Sequence, residues 1–417
     1  MPDLRLEDLD IIGLDTFAAR GYPHEDWAYL RKNDPVHWWD RNVALPFWAI
    51  TKHADIISIS KQPTKNLNEP RLAVFPAFLP PAPEERSVRQ LLVMDPPEHG
   101  VYRRLASKHF TPRAVQRLVS QVDVIAREVI DELADEATEG ETDFVQSVAA
   151  KLPLAVLADM LGVPRSDWKL MFEWTNAIVG AEDPEYQKTA AAADGFADAQ
   201  TSLYQYFWDM AQKRRGDPQE DIVSILANAE VDGEPIPPLE LLSYCLLLVV
   251  AGNETTRNAT SGGFVALLEN PGEMEKLRRN PELIDSAVEE ILRWSTPVIQ
   301  FCRTATEDFE LRGKTIRAGD SMCLLYPSAN RDEEVFEDPF TFRIDRSPNP
   351  HLAFGVGEHF CLGAHLARLE LRAVFSQLAE RLEFAELRGP VERLRSSFLG
   401  GVKHVPIRYR LAAGDRG

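Results

Sequence analysis

The residue that carries the most chemistry is Cys361, in the stretch Phe354-Gly355-Val356-Gly357-Glu358-His359-Phe360-Cys361-Leu362-Gly363. Glycines at 355, 357 and 363 imply a backbone that turns tightly or lies close against something flat. A dinucleotide fingerprint is excluded, because G-x-G-x-x-G needs glycine where Phe360 stands and no β-α-β pattern surrounds the loop. The loop enters a helical pattern, and the free N–H groups and partial positive charge of a helix N-terminus favour thiolate over thiol. One thiolate in that position suits a soft or borderline metal, haem iron included. The plainer reading is an inert buried thiol in a glycine-rich turn.

Three other groups of residues could do chemistry. Ala251-Gly252-Asn253-Glu254-Thr255-Thr256 follows an apolar run, Leu241 to Val250, that should form a helix buried on all sides. A glycine, an acid and two β-branched hydroxyl residues continue such a helix poorly, so a local break and a notch are expected there. The alternative is a threonine hydroxyl bonded back to the preceding turn. Glu290 and Arg293 share a helix face at i,i+3, although Glu289 at i,i+4 from Arg293 leaves the pairing open. His99 and Arg103, four apart after Pro96-Pro97, form a pair fit to clamp a carboxylate, or else a solvated basic face.

The elements that must position these residues are mostly helical. Apolar side chains recur at three- and four-residue spacing over 113–137, over 281–294 with Pro281 opening the helix, and over 362–385 with Leu362, Leu366, Leu369, Val374 and Leu378 on one side. Two zones read as β: a hairpin of Val36–Trp39 with Phe47–Thr51, and the stretch Phe301–Leu325 with turns at Gly313 and Gly319. Pro76–Pro83 reads as a loop, and no repeat or linker divides the chain. The expected fold is mainly α with a smaller β region, over 1–417 as a single domain.

Composition narrows the partners. The 417 residues carry 46 basic and 65 acidic side chains, a formal charge of −19, which argues against nucleic acid. The N-terminus has acids where a signal peptide has a basic and then an apolar stretch. The run Leu241–Ala251 is far short of the about 20 residues a membrane helix needs. A cytoplasmic protein, free of membrane, is expected. None of Cys245, Cys302, Cys323 and Cys361 forms a C-x-x-C pair, so a zinc or iron–sulfur framework is not expected, and the first three read as buried small hydrophobes.

The run F-G-x-G-x-H-x-C-x-G, followed by Ala364-His365-Leu366-Ala367-Arg368, resembles the haem-binding loop of the cytochromes P-450. The other motifs occur in that family's order, and the resemblance spans roughly 35–410. It implies the P-450 fold, with haem b (iron protoporphyrin IX) between the long oxygen-activation helix and the cysteine-loop helix, and Cys361 as the metal ligand. It implies that Thr255 meets dioxygen at the haem while Glu254 relays protons, with Ala251, Gly252 and Phe354 against the cofactor. His99, Arg103, Arg303 and His359 would bind its propionates. The family's E-x-x-R motif selects Glu290 with Arg293, and Arg346 resembles the third member of a structural network that fixes the cysteine loop.

The function implied is a monooxygenase that inserts one atom of O2 into a lipophilic molecule. The chain shows no flavin, nicotinamide or iron–sulfur signature, so the resemblance implies a ferredoxin and a ferredoxin reductase as partners of a monomer. Arg103, Arg104, Lys108, Arg113 and Arg368 are candidates for the docking patch. The alternatives are a peroxygenase using H2O2, against which the Glu254–Thr255 pair argues, and a haem-based sensor or carrier, for which no residues remain to form an output domain. Substrate contacts are expected in 66–93, Phe172–Val179, around Leu247 and Val250, and in 296–301 and 398–402. Leu72, Phe75, Phe78, Leu79, Val298, Ile299, Phe301, Phe398 and Leu399 would supply them, with Arg71 and Lys65 available to hold an acid. Arg303–Asp308 and Tyr326–Asp332 resemble bacterial members acting on terpenoids, sterols and other lipophilic molecules, and a terpenoid or steroid-like substrate is expected.

Overall fold

The computed structural model describes residues 5–41, 44–75, 90–136, 138–180, 182–189 and 195–412. Pro76–Pro83, with Phe78 and Leu79, lies outside the described residues. Nine helices carry the argument: α1 (Glu98–Ser107), α2 (Val119–Glu136), α3 (Lys151–Leu161), α4 (Trp168–Val179), α5 (Pro184–Thr189), α6 (Gly195–Gly216), α7 (Pro238–Glu269), α8 (Ile284–Ser295) and α9 (Ala364–Arg381). The 32-residue α7 starts with Pro238 in its first turn and ends before Pro271, as proline geometry favours at a start and forbids in an interior. It is packed by α3, α4, α6, α8 and α9, which is why its sequence is apolar on every side.

The β region is a five-stranded sheet in the order β1-β2-β5-β4-β3, where β1 is Val36–Trp39, β2 Phe47–Ile50, β3 Asn66–Leu67, β4 Gln300–Ala305 and β5 Ser321–Leu325. The β1–β2 hairpin pairs Val36 with Ile50 and Trp39 with Phe47, and β5 joins β2 in parallel. Gly313 and Gly319 both have positive φ, at the turns expected of them. Strand β4 places Phe301 and Arg303 on one face and Cys302 on the other, since side chains alternate along a strand.

Four expectations are amended. The pattern over 113–137 is two helices, Pro112–Gln116 and α2. Pro281–Leu283 is a 3-10 turn ahead of α8. The helix expected to reach 385 ends at Arg381, because Leu382–Leu387 is drawn into an antiparallel sheet with Pro406–Leu411 and Glu139–Asp143, while Leu362 precedes the helix. Helix α7 runs unbroken through 251–256: Thr255 Oγ1 donates to Ala251 O at 2.6 Å, so the hydroxyl serves the helix's own carbonyl. Among the described residues no helix is long and apolar enough to cross a membrane.

Candidate active site

The cysteine loop is built on two neighbouring acids of α8, Glu290, which is buried, and Glu289, which is half-buried. Glu290 and Arg293 are both 0% exposed. Arg293 donates to both carboxylate oxygens at 2.8 and 2.7 Å, and Arg346 adds bonds at 3.2 and 3.0 Å. Asn349, just ahead of the loop, donates to the same acid at 3.2 Å. Glu289 is not a competitor for Arg293. It accepts from Arg368 at 2.6 and 2.9 Å and lies 3.0 Å from His351, so it binds the chain on both sides of Cys361. Burial alone would raise this carboxyl, but the bonds from Arg368 and His351 outweigh it and hold the group down to about 2. Arg368 also lies over the Phe354 ring at 4.5 Å. It is therefore committed to the loop and is not a free docking cation. Arg104, Lys108 and Arg113 are exposed.

The loop's glycines have distinct reasons. Gly357 has φ +82, and a Cβ there would lie 2.4 Å from the carbonyl oxygen of Ser60. Gly355 has φ +68 and nothing within 4 Å of a would-be Cβ, so it opens onto empty space. That space belongs to a cavity of about 240 Å³.

Cys361, Phe354, Ala251, Gly252, Thr255, His99, Arg103, Arg303 and His359 all line this cavity, from α1, α7, β4 and the cysteine loop. The His99 and His359 rings lie 3.9 Å apart. His359 is lowered to about 2 by burial first and then by His99, Arg303 and Arg103. Its Nε2 is buried without a partner. Four side chains that favour anions converge on one wall, and among the described residues only His99 of the four has a carboxylate partner, Glu358 at 3.2 Å. That arrangement fits the two propionates of a haem. Burial pushes the Cys361 thiol up, against the opposing influence of the Gly363 N–H, Arg103 and Arg368. The helix-terminus effect expected from sequence is thus outweighed, and a thiolate there needs a cation beside it, as an iron would provide.

The rest of the wall is apolar. Leu247, Val250, Val298, Phe301, Phe398 and Leu399 line it as expected. Leu72, Phe75, Ile299 and the segment Phe172–Val179 are not on it. Neither cation proposed for an acidic substrate reaches it: Arg71 donates to the carbonyls of Pro46 and Leu45, and Lys65 pairs with Glu307. Glu254 is 0% exposed and also absent from the wall, so Thr255 faces the cavity and its neighbour does not.

Among the wall residues that sequence reasoning missed, one is an acid. Glu370 on α9 is 2% exposed, hydrogen-bonded with Thr256, and its Oε2 has no partner. Burial raises it to about 8, so it is uncharged at neutral pH. The signal was available, because Glu370 stands in the i,i+4 row with Leu366, Val374 and Leu378.

Comparison with known proteins identifies the family. A family model described as Cytochrome P450 matches residues 154–409. The chain is similar to a steroid C26-monooxygenase of Mycolicibacterium smegmatis, 39% identical over 94% of this chain and 92% of that protein. It is also similar to a methyl-branched lipid omega-hydroxylase of Mycobacterium bovis, 36% identical over 98% and 96%. Among solved structures, a Mycobacterium marinum cytochrome P450 in complex with pseudoionone superposes with a TM-score of 0.88 at 35% identity, over 98% of this chain and 100% of that one.

Proposed function

The chain belongs to the cytochrome P450 family as a haem monooxygenase of lipophilic substrates, and from that premise we propose that it oxidises a terpenoid or steroid-like molecule with electrons from a ferredoxin and its reductase. The whole chain is read as one such domain. The names of two relatives, a steroid C26-monooxygenase and a methyl-branched lipid omega-hydroxylase, favour oxidation at the end of an alkyl chain. One observation carries the reading: a cavity with Cys361 and four anion-binding side chains on one part of its wall and aliphatic and aromatic side chains elsewhere.

In this reading Cys361 binds the iron, and His99, Arg103, Arg303 and His359 bind the propionates. Phe354, Ala251 and Gly252 lie against the cofactor. Haem, once bound and reduced, supplies dioxygen activation, with one atom going to substrate and one to water. Thr255 presents its hydroxyl oxygen at the cavity face of α7 as a hydrogen-bond acceptor while its hydrogen is held by Ala251 O, and Glu254 behind it is the proton source. Leu247, Val298, Phe301 and Phe398 exclude water and hold an apolar substrate without a charged anchor.

The test is a panel of steroids with intact alkyl side chains, terpenoids and methyl-branched lipids, scored by the low-to-high-spin absorbance shift and by product mass after turnover with NADH and a surrogate ferredoxin system. Oxidation of a member of this panel supports the reading. A shift only with charged, hydrophilic compounds contradicts it, and turnover with H2O2 alone at the same rate would make the enzyme a peroxygenase.

A further inference from the structure

Strand β4 has a face that the cavity does not use. Phe301 and Arg303 line the cavity, while Cys302 points the opposite way, into a core with Trp27, Phe47, Ala49, Val74 and Ile299. Directly across from Cys302 in the antiparallel register stands Cys323 of β5, in the same core, and both are 0% exposed. The backbone N–H of Cys302 donates to Leu72 O at 2.7 Å, on the side of β4 away from β5, whereas that of Ala305, three residues on, donates to Asp320 O at 3.0 Å on the β5 side. The two cysteines are therefore a non-hydrogen-bonded pair, the kind whose opposite Cα atoms lie closest, at about 4.5 Å. That separation is within the range a disulfide spans, at its short end. Both sulfurs reach one oxygen: Cys302 Sγ lies 4.0 Å and Cys323 Sγ 3.7 Å from Gln300 Oε1. Gln300 joins the pair to the wall. Its side chain accepts from Val74 N at 3.1 Å and donates to Val74 O at 3.0 Å and to Ser397 O at 3.2 Å. Ser397 precedes Phe398, whose ring packs 5.4 Å from that of Phe301 on the cavity wall.

We propose that Cys302 and Cys323 are a redox modification site: hydrogen peroxide converts them to a disulfide, and its closure loosens the Phe301–Phe398 part of the cavity wall. The effect on the wall rests on the cavity's role in the function proposed above, and the disulfide itself does not. The Cys302 sulfur takes one oxygen of the peroxide, giving a sulfenic acid and one water. The Cys323 sulfur then displaces that hydroxyl, which leaves as a second water with the Cys323 proton. Two S–H bonds and one O–O bond break, one S–S bond forms, and the two electrons lost by the sulfurs reduce the peroxide to water. Burial alone would raise the Cys302 thiol, but the hydrogen bond with Cys323 and the charges of Arg71 and Arg303 outweigh it and hold the group below its ordinary value. Burial and the neighbouring Cys302 push Cys323 up, which makes Cys302 the attacking sulfur and Cys323 the resolving one. Full burial restricts the oxidant to a molecule as small as peroxide, and the cavity lies only one strand away. Closure removes both S–H donors from Gln300. It also draws the pair toward the usual disulfide Cα separation of about 5.5–6 Å, wider than the about 4.5 Å of this register, so β4 shifts against β5 beside Phe301.

The experiment gives the ferric holoenzyme a short pulse of hydrogen peroxide, stopped with catalase, and treats Cys302→Ala and Cys323→Ala alike. Free thiols are then alkylated in denaturant without reductant, and the digest is searched for a peptide pair joined through 302 and 323. The expected result is a joined pair in the wild type, lighter by two hydrogens than its separate peptides, opened by dithiothreitol and absent from both variants. Wall packing is read by absorbance titration with 1-dodecylimidazole, whose ring ligates the iron and whose chain lies against the apolar side chains. Its affinity should weaken roughly 2–10-fold after the pulse, the span of one aromatic pair lost, and recover with dithiothreitol. Imidazole alone, too short to reach that part of the wall, should bind as before, and neither variant should respond. Should Cys302→Ala fail to fold, Cys323→Ala decides. Separate alkylated peptides after the pulse overturn the proposal, as does a joined pair found only in protein that has lost its haem absorbance. A joined pair with unchanged dodecylimidazole affinity overturns the link to the wall. Equal weakening in the wild type and the variants assigns the change to haem damage and overturns it as well.

Discussion

Two buried pairs in this molecule share one spacing, Glu290-x-x-Arg293 on α8 and Glu254-x-x-Arg257 on α7, and they are bonded to different degrees. Around Glu290 both carboxylate oxygens accept from Arg293 and Arg346, and Arg293 also donates to the carbonyls of Asn330 and Pro339 at 2.9 and 2.8 Å. No atom of that trio is left without a partner, whereas Glu254 Oε2 and Arg257 Nε are. A fully bonded buried charge has one arrangement and acts as scaffold, here for the cysteine loop. An incompletely bonded one keeps alternatives of similar energy. Spacing alone cannot distinguish them, because the difference lies in what other segments bring to the pair.

The same substitution at both acids is the sharpest way to break this comparison. Glu290→Gln is expected to cost about 3–5 kcal/mol, the range for losing one partner of a buried pair, and to abolish most haem loading. Unfolding and haem content per chain measure it. Glu254→Gln should cost less stability, because Asn176 and Tyr186 still hold Arg257, but should lower product formation about 10²-fold or more with haem loading intact. Equal stability losses at the two sites would remove the distinction.

Glu370 extends the comparison to a buried acid with no cation partner. Its folded-state value, raised from 4.5 to about 8, means the folded protein keeps a proton that the unfolded chain has released. Its contribution to stability therefore falls as pH rises through that window and is flat above it. Denaturant unfolding from pH 5 to pH 8 should show Glu370→Gln gaining on the wild type as pH rises, and parallel curves would contradict the assignment. The smallest effect is expected at the exposed extreme. Arg113→Glu should slow reduction by ferredoxin a few-fold at low ionic strength, with the difference vanishing in salt. Stopped-flow reduction rates at two salt concentrations measure it.

Much of the site was legible in the sequence, for a physical reason. Cys361, His359 and Phe354 lie within one loop whose glycines have a backbone cause, so local spacing was enough to group them. His99, Arg103 and Arg303 were placed by resemblance, and they converge with His359 only through the packing of α1 and β4. What spacing could not give was orientation. Glu254 and Thr255 are neighbours in the chain, yet helix geometry turns one away from the cavity and the other into it. Arg368 read as a surface cation because Glu289, its partner, is supplied by another helix. The Phe172–Val179 expectation failed likewise, since α4 meets α7 through Asn176 and Arg257 and not through the cavity wall. The helix expected to reach 385 was overrun because Leu382–Leu387 has a β partner far away in sequence.

The most direct test of Cys361 as the iron ligand is the difference spectrum of the dithionite-reduced protein with carbon monoxide, recorded for the wild type and Cys361→Ala. The expected result is the strongly red-shifted Soret band of a thiolate-ligated ferrous haem in the wild type and its loss in the variant. A band of the histidine-ligated type that is the same in both proteins would contradict the assignment.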